Sequence, residues 1–238
     1  MTTKYPEGFR TNAPADLYPD QALIMGVCTA NQGRSQPFEA TGNIRLAELG
    51  MLDRYRCVSS GSSVDDIAND RTPVSVKERF VRMALKDHNV YDPEQVKRLD
   101  QALRNGDDDI INELYPLTEE HFQNEEHAWR DIWRQDASNR YGIKIVFKQE
   151  PEQTVARPNV VAVLPMAQRN LDAVQAIYDA QEAQYPPVFE VLPVFIPGVR
   201  EKQATDCFGG RQEEYLNCVK QVEIWTRMAV DEIVDMNL

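Results

Sequence analysis

The feature that most constrains the fold is an apolar run that ends abruptly in a polar turn. Ala22-Leu23-Ile24-Met25-Gly26-Val27 is continuous in hydrophobicity. That is the pattern of a parallel strand buried on both faces, not of an alternating edge strand. Cys28 to Ser35 follows as a polar turn containing glycine, and a helical stretch covers residues 38–49 up to Gly50, a candidate C-cap. Tyr55-Arg56-Cys57-Val58-Ser59-Ser60 reads as a second strand, stopped by Gly61. Strand, turn, helix and strand make a βαβ opening, which commits the chain to an α/β class with a parallel sheet.

The rest of the chain divides by pattern. Residues 1–20, rich in Pro, Asp and Thr, read as an arm or loop. Residues 65–150 are strongly charged and mostly helical, with breaks expected at Asp92-Pro93, Asn105-Gly106 and Tyr115-Pro116. Asp107-Asp108-Asp109 and Glu125-Glu126 read as solvated faces or helix N-termini. Trp129 and Trp133, four apart, form one apolar stripe that suits a core better than a ligand platform. Residues 143–147 fit a short strand or a buried helix end, and periodicity does not choose. Regular α/β pattern then resumes, with a strand at 159–164, an amphipathic helix at 168–183, a break at Pro186-Pro187 and a strand at 188–195. A loop from Pro197-Gly198 to Gly210 leads into a long helix at 212–236. Tyr215, Val219, Val222, Trp225 and Met228 are expected on one face of that helix.

Charge and cysteine usage narrow the function. The 26 basic and 38 acidic residues of the 238 give a net charge of −12. Such a surface repels nucleic acid and anionic membrane, so neither is expected as a partner. No apolar run approaches the ~20 residues that span a bilayer, and residues 1–7 contain no apolar signal region. A cytoplasmic protein is the expectation. Four cysteines, at 28, 57, 207 and 218, include no close pair, which favours reduced thiols over a disulfide framework. Cys57 and Cys218 suit core positions. His121 and His127 are six apart, which does not place two ligands on one helix face, so no metal is expected.

The chemistry sits in the first turn, Val27-Cys28-Thr29-Ala30-Asn31-Gln32-Gly33-Arg34-Ser35. A cysteine and an arginine bracket five residues between a buried strand and a helix N-terminus. The backbone N–H groups of Thr29, Ala30, Asn31, Gln32 and Gly33 can wrap around one tetrahedral anion, with the helix dipole behind them. Amides and Arg34 together favour the thiolate of Cys28. Arg34 offers a planar fork for two phosphoryl oxygens, and Ser35 can donate to the sulfur.

This segment resembles the active-site loop of the low-molecular-weight protein tyrosine phosphatases, whose pattern is C-x-G-N-x-C-R-S after an apolar strand. Cys28, Asn31, Arg34 and Ser35 match; Ala30 replaces a glycine and Gly33 replaces the second cysteine. Four further patches are similar to that family. These are Ser35-Gln36-Pro37-Phe38-Glu39-Ala40, Ser59-Ser60-Gly61-Ser62, Leu164-Pro165-Met166 through Asn170-Leu171-Asp172-Ala173-Val174, and Asp206-Cys207-Phe208-Gly209-Gly210 followed by Glu213-Glu214-Tyr215.

The resemblance implies an open, parallel four-stranded α/β sheet of order 2-1-3-4 with helices on both faces, built from residues 1–65 and 156–238. It leaves residues 66–155 as a mainly helical insertion, a cap or an oligomer contact. It implies phosphate-monoester hydrolysis, specifically of phosphotyrosine proteins or small aryl phosphates, without cofactor or metal. Cys28 would be the nucleophile forming a phosphocysteine, Arg34 the phosphate clamp, and Asp206 the general acid and then base. Phe208 would stack on a substrate ring. The family's aspartate is followed by proline, here Cys207, an inert loop thiol or a partner of Cys28 in redox control. The residues alone also allow Asp206 to be a helix cap or a solvated loop residue. Two alternatives remain: an arsenate reductase of the same fold, and a non-catalytic phosphate-binding or interaction module.

Overall fold

The computed structural model describes residues 5–12, 15–87, 89–182 and 187–238. Pro186, the end of the expected helix at residue 183, and parts of the N-terminal arm lie outside the described residues. The strands are β1 (Ala22–Cys28), β2 (Tyr55–Gly61), β3 (Val160–Pro165) and β4 (Val188–Phe189). They form one four-stranded sheet in the order β2-β1-β3-β4, parallel throughout. β1 is central, which explains its unbroken hydrophobicity. Leu23, Met25 and Val27 enter one core with Val58, Val160, Val163 and Val174. Ile24 and Cys28 enter the other, with Phe38, Leu164, Val222 and Trp225. The period of two is present in the packing although both sets are apolar.

Helices cover both faces. α1 (Ser35–Leu49) ends at Gly50, whose φ of 70° closes the helix in the left-handed region. After β2 come α2 (Val64–Ala68), α3 (Val74–Asp87), α4 (Pro93–Asn105) and α5 (Asp108–Tyr141). α6 (Gln168–Ala180) follows β3, α7 (Leu192–Phe195) follows β4, and α8 (Gln212–Met236) ends the chain. α8 buries Tyr215, Val219, Val222 and Trp225, but Met228 is 39% exposed. The stripe advances by fours and threes, so it passes through Ala229 and Ile233 instead.

Three other expectations need correction. The strand at 188–195 stops after two residues. Pro193 has no N–H to give a sheet and sits in the first turn of α7, while Leu192 turns into the core. Tyr115-Pro116 does not break the chain: α5 runs 34 residues through Pro116. Leu114, Tyr115, Thr118 and Phe122 are buried around it, and their packing outweighs the ~3 kcal/mol that an interior proline costs. The break expected at Asp92-Pro93 is present, between α3 and α4. Asp92 caps α4 reciprocally with Gln95, and Pro93 stands just inside. Residues 143–147 are neither strand nor helix. Asp107 caps α5 by accepting from the N–H of Ile110.

The helices of residues 74–141 play two parts. α3, α4 and the start of α5 surround their own core of Phe80, Val81, Leu99, Ile111, Leu114 and Phe122. The second half of α5 lies on the α/β layer, where Trp129, Trp133 and Ala137 pack with Ile44, Tyr215 and Val219. Glu223 of α8 fastens that contact. Its carboxylate accepts from Trp133 Nε1 at 3.2 Å, Arg140 Nη1 at 2.6 Å and Tyr141 Oη at 2.5 Å.

Burial acts to raise the Glu223 pKa, but the hydrogen bonds from Arg140 and Tyr141 outweigh it and hold the group below its ordinary 4.5. Glu223→Gln should therefore lower unfolding free energy by about 2 kcal/mol at neutral pH, read from urea denaturation. A depressed folded-state pKa stabilises above the unfolded value and is lost as pH falls through the folded one. The difference between the two proteins should thus shrink below pH 4.5.

Candidate active site

The loop between β1 and α1 lies at the C-terminal edge of the sheet, where open α/β sheets place ligand sites. Cys28 is the last residue of β1 and Ser35 the first of α1, so strand and helix fix the two ends of the turn. Cys28 Sγ lies 3.1 Å from Ser35 Oγ. Ser35 Oγ donates to Asn31 Oδ1 at 3.0 Å, and Gln36 Nε2 donates to the Asn31 carbonyl at 2.7 Å. Asn31 is fully buried with φ of 54°, a left-handed conformation that asparagine tolerates better than most residues. Its Nδ2 has no partner. A half-turn of that amide would let Nδ2 donate to Ser35, freeing the serine hydroxyl to donate to a Cys28 thiolate.

Neighbouring elements hold the loop. The N–H groups of Ser62 and Ser63 donate to the carbonyls of Cys28 and Thr29 at 2.9 and 3.0 Å. Gly61 is required there, because an ideal Cβ would fall 2.7 Å from the Thr29 carbonyl and 2.8 Å from the Asn31 nitrogen. Asn170 of α6 donates to Thr29 Oγ1 and Ser62 Oγ, both at 3.1 Å. Arg130 of α5 donates to the Gln32 carbonyl at 3.3 Å, and Tyr215 Oη donates to the Gly33 carbonyl at 3.3 Å.

Arg34 is buried and points across the loop to Asp206. Its Nη1 donates to the Thr205 carbonyl at 3.2 Å, and its Nη2 lies 3.7 Å from Asp206 Oδ1. Burial works against the guanidinium charge, yet Asp206 holds its pKa above the usual value. Asp206 meets two more arginines, Arg169 of α6 at 2.8 Å and Arg79 of α3 at 3.5 Å. Burial would raise the Asp206 pKa; Arg34, Arg169 and Arg79 together bring it below its ordinary value. Among these three arginines Asp206 is therefore a carboxylate at neutral pH.

Cys28, Thr29, Ala30, Gln32, Gly33, Arg34, Asp206 and Phe208 all line one cleft of about 690 Å³. Asn31 and Ser35 lie beneath its floor, in contact with each other and, through Ser35, with Cys28. Phe208 lines the cleft but packs edge-on against Phe80 and Phe122, with centroids 5.1 and 5.7 Å away. Cys207 packs in one core cluster with Cys218 of α8, and the interaction of the two thiols and burial push the Cys207 thiol up. Cys218 Sγ also reaches the Thr205 carbonyl at 3.2 Å. The sequence separation of eleven residues concealed this thiol pair. Among the described residues no group of three or more His, Cys, Asp or Glu could hold a metal ion. No described helix is long and apolar enough to cross a membrane.

Sequence reasoning missed four residues here: Arg79, Arg169, Cys218 as a neighbour of the site, and Glu126. Glu126, grouped above with solvated faces and helix N-termini, is 6% exposed and lines the cleft. A signal for it existed. Phe122, Glu126, Trp129 and Trp133 follow helical spacing, so Glu126 shares the buried stripe of α5. Its carboxylate occupies the space where a side chain at position 33 would stand.

No family model matches the sequence, and no curated protein matches it significantly. Solved structures do match the fold. A protein tyrosine phosphatase from Entamoeba histolytica aligns over 92% of this chain and 100% of its own, at 11% identity and a TM-score of 0.52. A low molecular weight phosphotyrosine phosphatase from Vibrio cholerae aligns over 91% and 99%, at 13% identity and a TM-score of 0.50. YfkJ from Bacillus subtilis aligns over 92% and 98%, at 12% identity and a TM-score of 0.50. The chain thus has the fold of the low molecular weight phosphotyrosine phosphatases.

An ideal Cβ at Gly33 would fall 2.1 Å from Glu126 Oε1. Gly33→Ala should therefore turn the Glu126 carboxyl, the movable end of its side chain, aside, and lower the unfolding free energy by less than the ~1–3 kcal/mol typical of overpacking. Pairing it with Glu126→Ala, which empties the space, should recover most of that loss in a double-mutant cycle.

Proposed function

We propose that the protein hydrolyses phosphate monoesters through a phosphocysteine on Cys28. The observation that carries this reading is the Cys28 Sγ to Ser35 Oγ contact of 3.1 Å, in a loop whose arginine faces Asp206 at 3.7 Å. Nucleophile, stabilising hydroxyl, phosphate clamp and proton carrier lie around one cleft. The fold shared with solved phosphotyrosine phosphatases supports the same class, and phosphotyrosine proteins or small aryl phosphates are the substrates it favours.

Cys28 thiolate attacks phosphorus and the ester oxygen departs. Loop amides and Arg34 stabilise the equatorial oxygens as charge shifts among them. Asp206 must carry a proton to the leaving oxygen. A phosphoryl dianion drawing Arg34 to itself removes one of the three cations that hold Asp206 ionised, which raises its affinity for that proton. Asp206 then takes a proton from the water that attacks phosphocysteine, releasing phosphate and the thiolate. We place residues 66–155 as a cap on the α/β domain of residues 1–65 and 156–238. Val76, Arg79, Phe80, Tyr115 and Gln123 from α3 and α5 form a wall of the cleft.

One observation favours a second reading, arsenate reduction. Cys207 and Cys218, packed in one cluster within electrostatic reach of Arg34, supply the two further thiols that it needs. Cys28 would bind arsenate with loss of water. A second thiol attacking its sulfur would release arsenite, the two sulfurs giving up two electrons as As(V) becomes As(III). Exchange with the third thiol would leave a Cys207–Cys218 disulfide.

Hydrolysis of para-nitrophenyl phosphate in EDTA tests the first reading. Cys28→Ser should abolish turnover, and Asp206→Asn should lower kcat by roughly a hundredfold. Turnover that survives Cys28→Ser defeats the phosphocysteine route; arsenite formed from arsenate without phosphatase activity selects the second reading.

Arg169→Gln gives a finer check on the acid. Activity that needs protonated Asp206 falls as pH rises through its pKa in the complex. Removing a cation raises that pKa, so the alkaline limb of kcat should move to higher pH. An unmoved limb assigns the proton to another group.

A further inference from the structure

Glu126 is a buried carboxyl in the cleft wall that the mechanism above does not use. It reaches the loop from α5, on the stripe that seats Trp129 and Trp133 in the core, so its backbone is firmly placed. The glycine at position 33 leaves room for its carboxylate against the loop backbone. Arg34 and Arg130 are the cations that act on it, and Asp206 is a competing anion. Cys207, Tyr215 and Cys218 face it from the Asp206 loop and α8.

We infer that Glu126 is a positioning residue that gates the phosphate loop, admitting a phosphoryl dianion as the carboxylic acid and opposing it as the carboxylate. This rests on the phosphate-loop reading of Cys28 to Ser35. The acid form adds no charge beside the loop and offers an O–H to an anionic oxygen. The carboxylate form repels the dianion and attracts Arg34, the cation the dianion requires. Water cannot screen the effect well, because Glu126 is 6% exposed. Burial pushes its pKa up to about 7, against the pull of Arg34 and Arg130, so both forms are populated near neutrality. Asp206, held ionised by three arginines in the free protein, gains affinity for a proton once a dianion draws Arg34 away, so the test removes it by Asp206→Asn in every protein compared. His127, next on α5, titrates with its own value lowered by burial, and successive helical residues do not face each other.

The test measures sulfate binding by calorimetry in Cys28→Ser protein, every variant compared also carrying Asp206→Asn, from about pH 5.5 to about pH 8.5. Sulfate remains a dianion throughout, and the serine removes the Cys28 thiol from the comparison. Sulfate affinity should fall about tenfold per pH unit above ~7. In Cys28→Ser/Glu126→Gln it should be flat, and tighter than in Cys28→Ser alone at the alkaline limit. Glutamine keeps the shape of the side chain, and a melting curve without sulfate reports its folding. The same fall with pH in the glutamine protein overturns the inference and points to Cys218, whose thiol is shifted down toward this range. Should the glutamine protein not fold, Cys28→Ser alone decides, since an affinity that does not change with pH overturns the gate. Sulfate that binds equally at all pH values leaves the phosphate loop intact and removes only Glu126. Absence of sulfate binding at every pH overturns both.

Discussion

The C-terminal edge of the sheet is organised by the burial of one guanidinium. Arg34 cannot lose its proton and keeps almost no contact with solvent. A charge in that position is stable only if acceptors and negative charge are built around it. The structure supplies the Thr205 carbonyl and Asp206 from one loop. It adds Glu126 from α5, and Cys28, Cys207 and Cys218 stand within electrostatic reach. The chemistry of the site follows from that arrangement. An oxyanion entering the cleft competes with groups already placed to satisfy Arg34, so binding must redistribute charge among Asp206, Glu126 and the arginine. The two carboxyls respond in opposite senses: Asp206 is pulled toward ionisation by three cations, and Glu126 is pushed toward its acid form by burial.

The net charge of −12 describes the surface far from this point. At the cleft, Arg71, Arg79 and Arg169 join Arg34. The far field of the protein repels an anion, and the local field receives it over a few ångströms, well inside the ~8–10 Å over which salt screens exposed charge. The global charge therefore says little about whether an anion is received at the cleft.

What could be read from the sequence was whatever depends on local pattern. The unbroken apolar run of β1, the helix ended by Gly50 and the spacing of Cys28, Arg34 and Ser35 each carry their own signal. The sheet order follows once the family resemblance is added. The misreadings fall where tertiary contact overrides a local rule. Pro116 should break a helix, but the core formed by Leu114, Thr118 and Phe122 holds α5 together through it. The strand expected through residue 195 ends early because Leu192 has a core to enter and Pro193 has no N–H to give a neighbour. Glu126 carries a charge, and charge overruled the periodicity that marks it as buried. Arg79 and Arg169, one on α3 and one on α6, meet at Asp206 only in three dimensions, and no spacing announces that.

Position 207 shows how one part of the chain compensates for another. The phosphatase family resembled by the sequence follows its aspartate with a proline, which stiffens the loop, whereas Cys207 has no such constraint. The loop is instead held by contacts on three sides. The N–H of Ala204 donates to the Met166 carbonyl at 2.8 Å, and Arg34 takes the Thr205 carbonyl at 3.2 Å. Phe208 is clasped edge-on between Phe80 of α3 and Phe122 of α5. Gly209 lets the backbone pass Phe122 so closely that an ideal Cβ would stand 2.9 Å from its ring. Two of the rings in that clasp belong to the helical part of the chain, whose own core is built from the same side chains. Asp206 is therefore positioned by the packing of α3 and α5 as much as by its own loop. A change in that distant core that loosens Phe80 or Phe122 acts on the carboxylate beside Arg34 through Phe208.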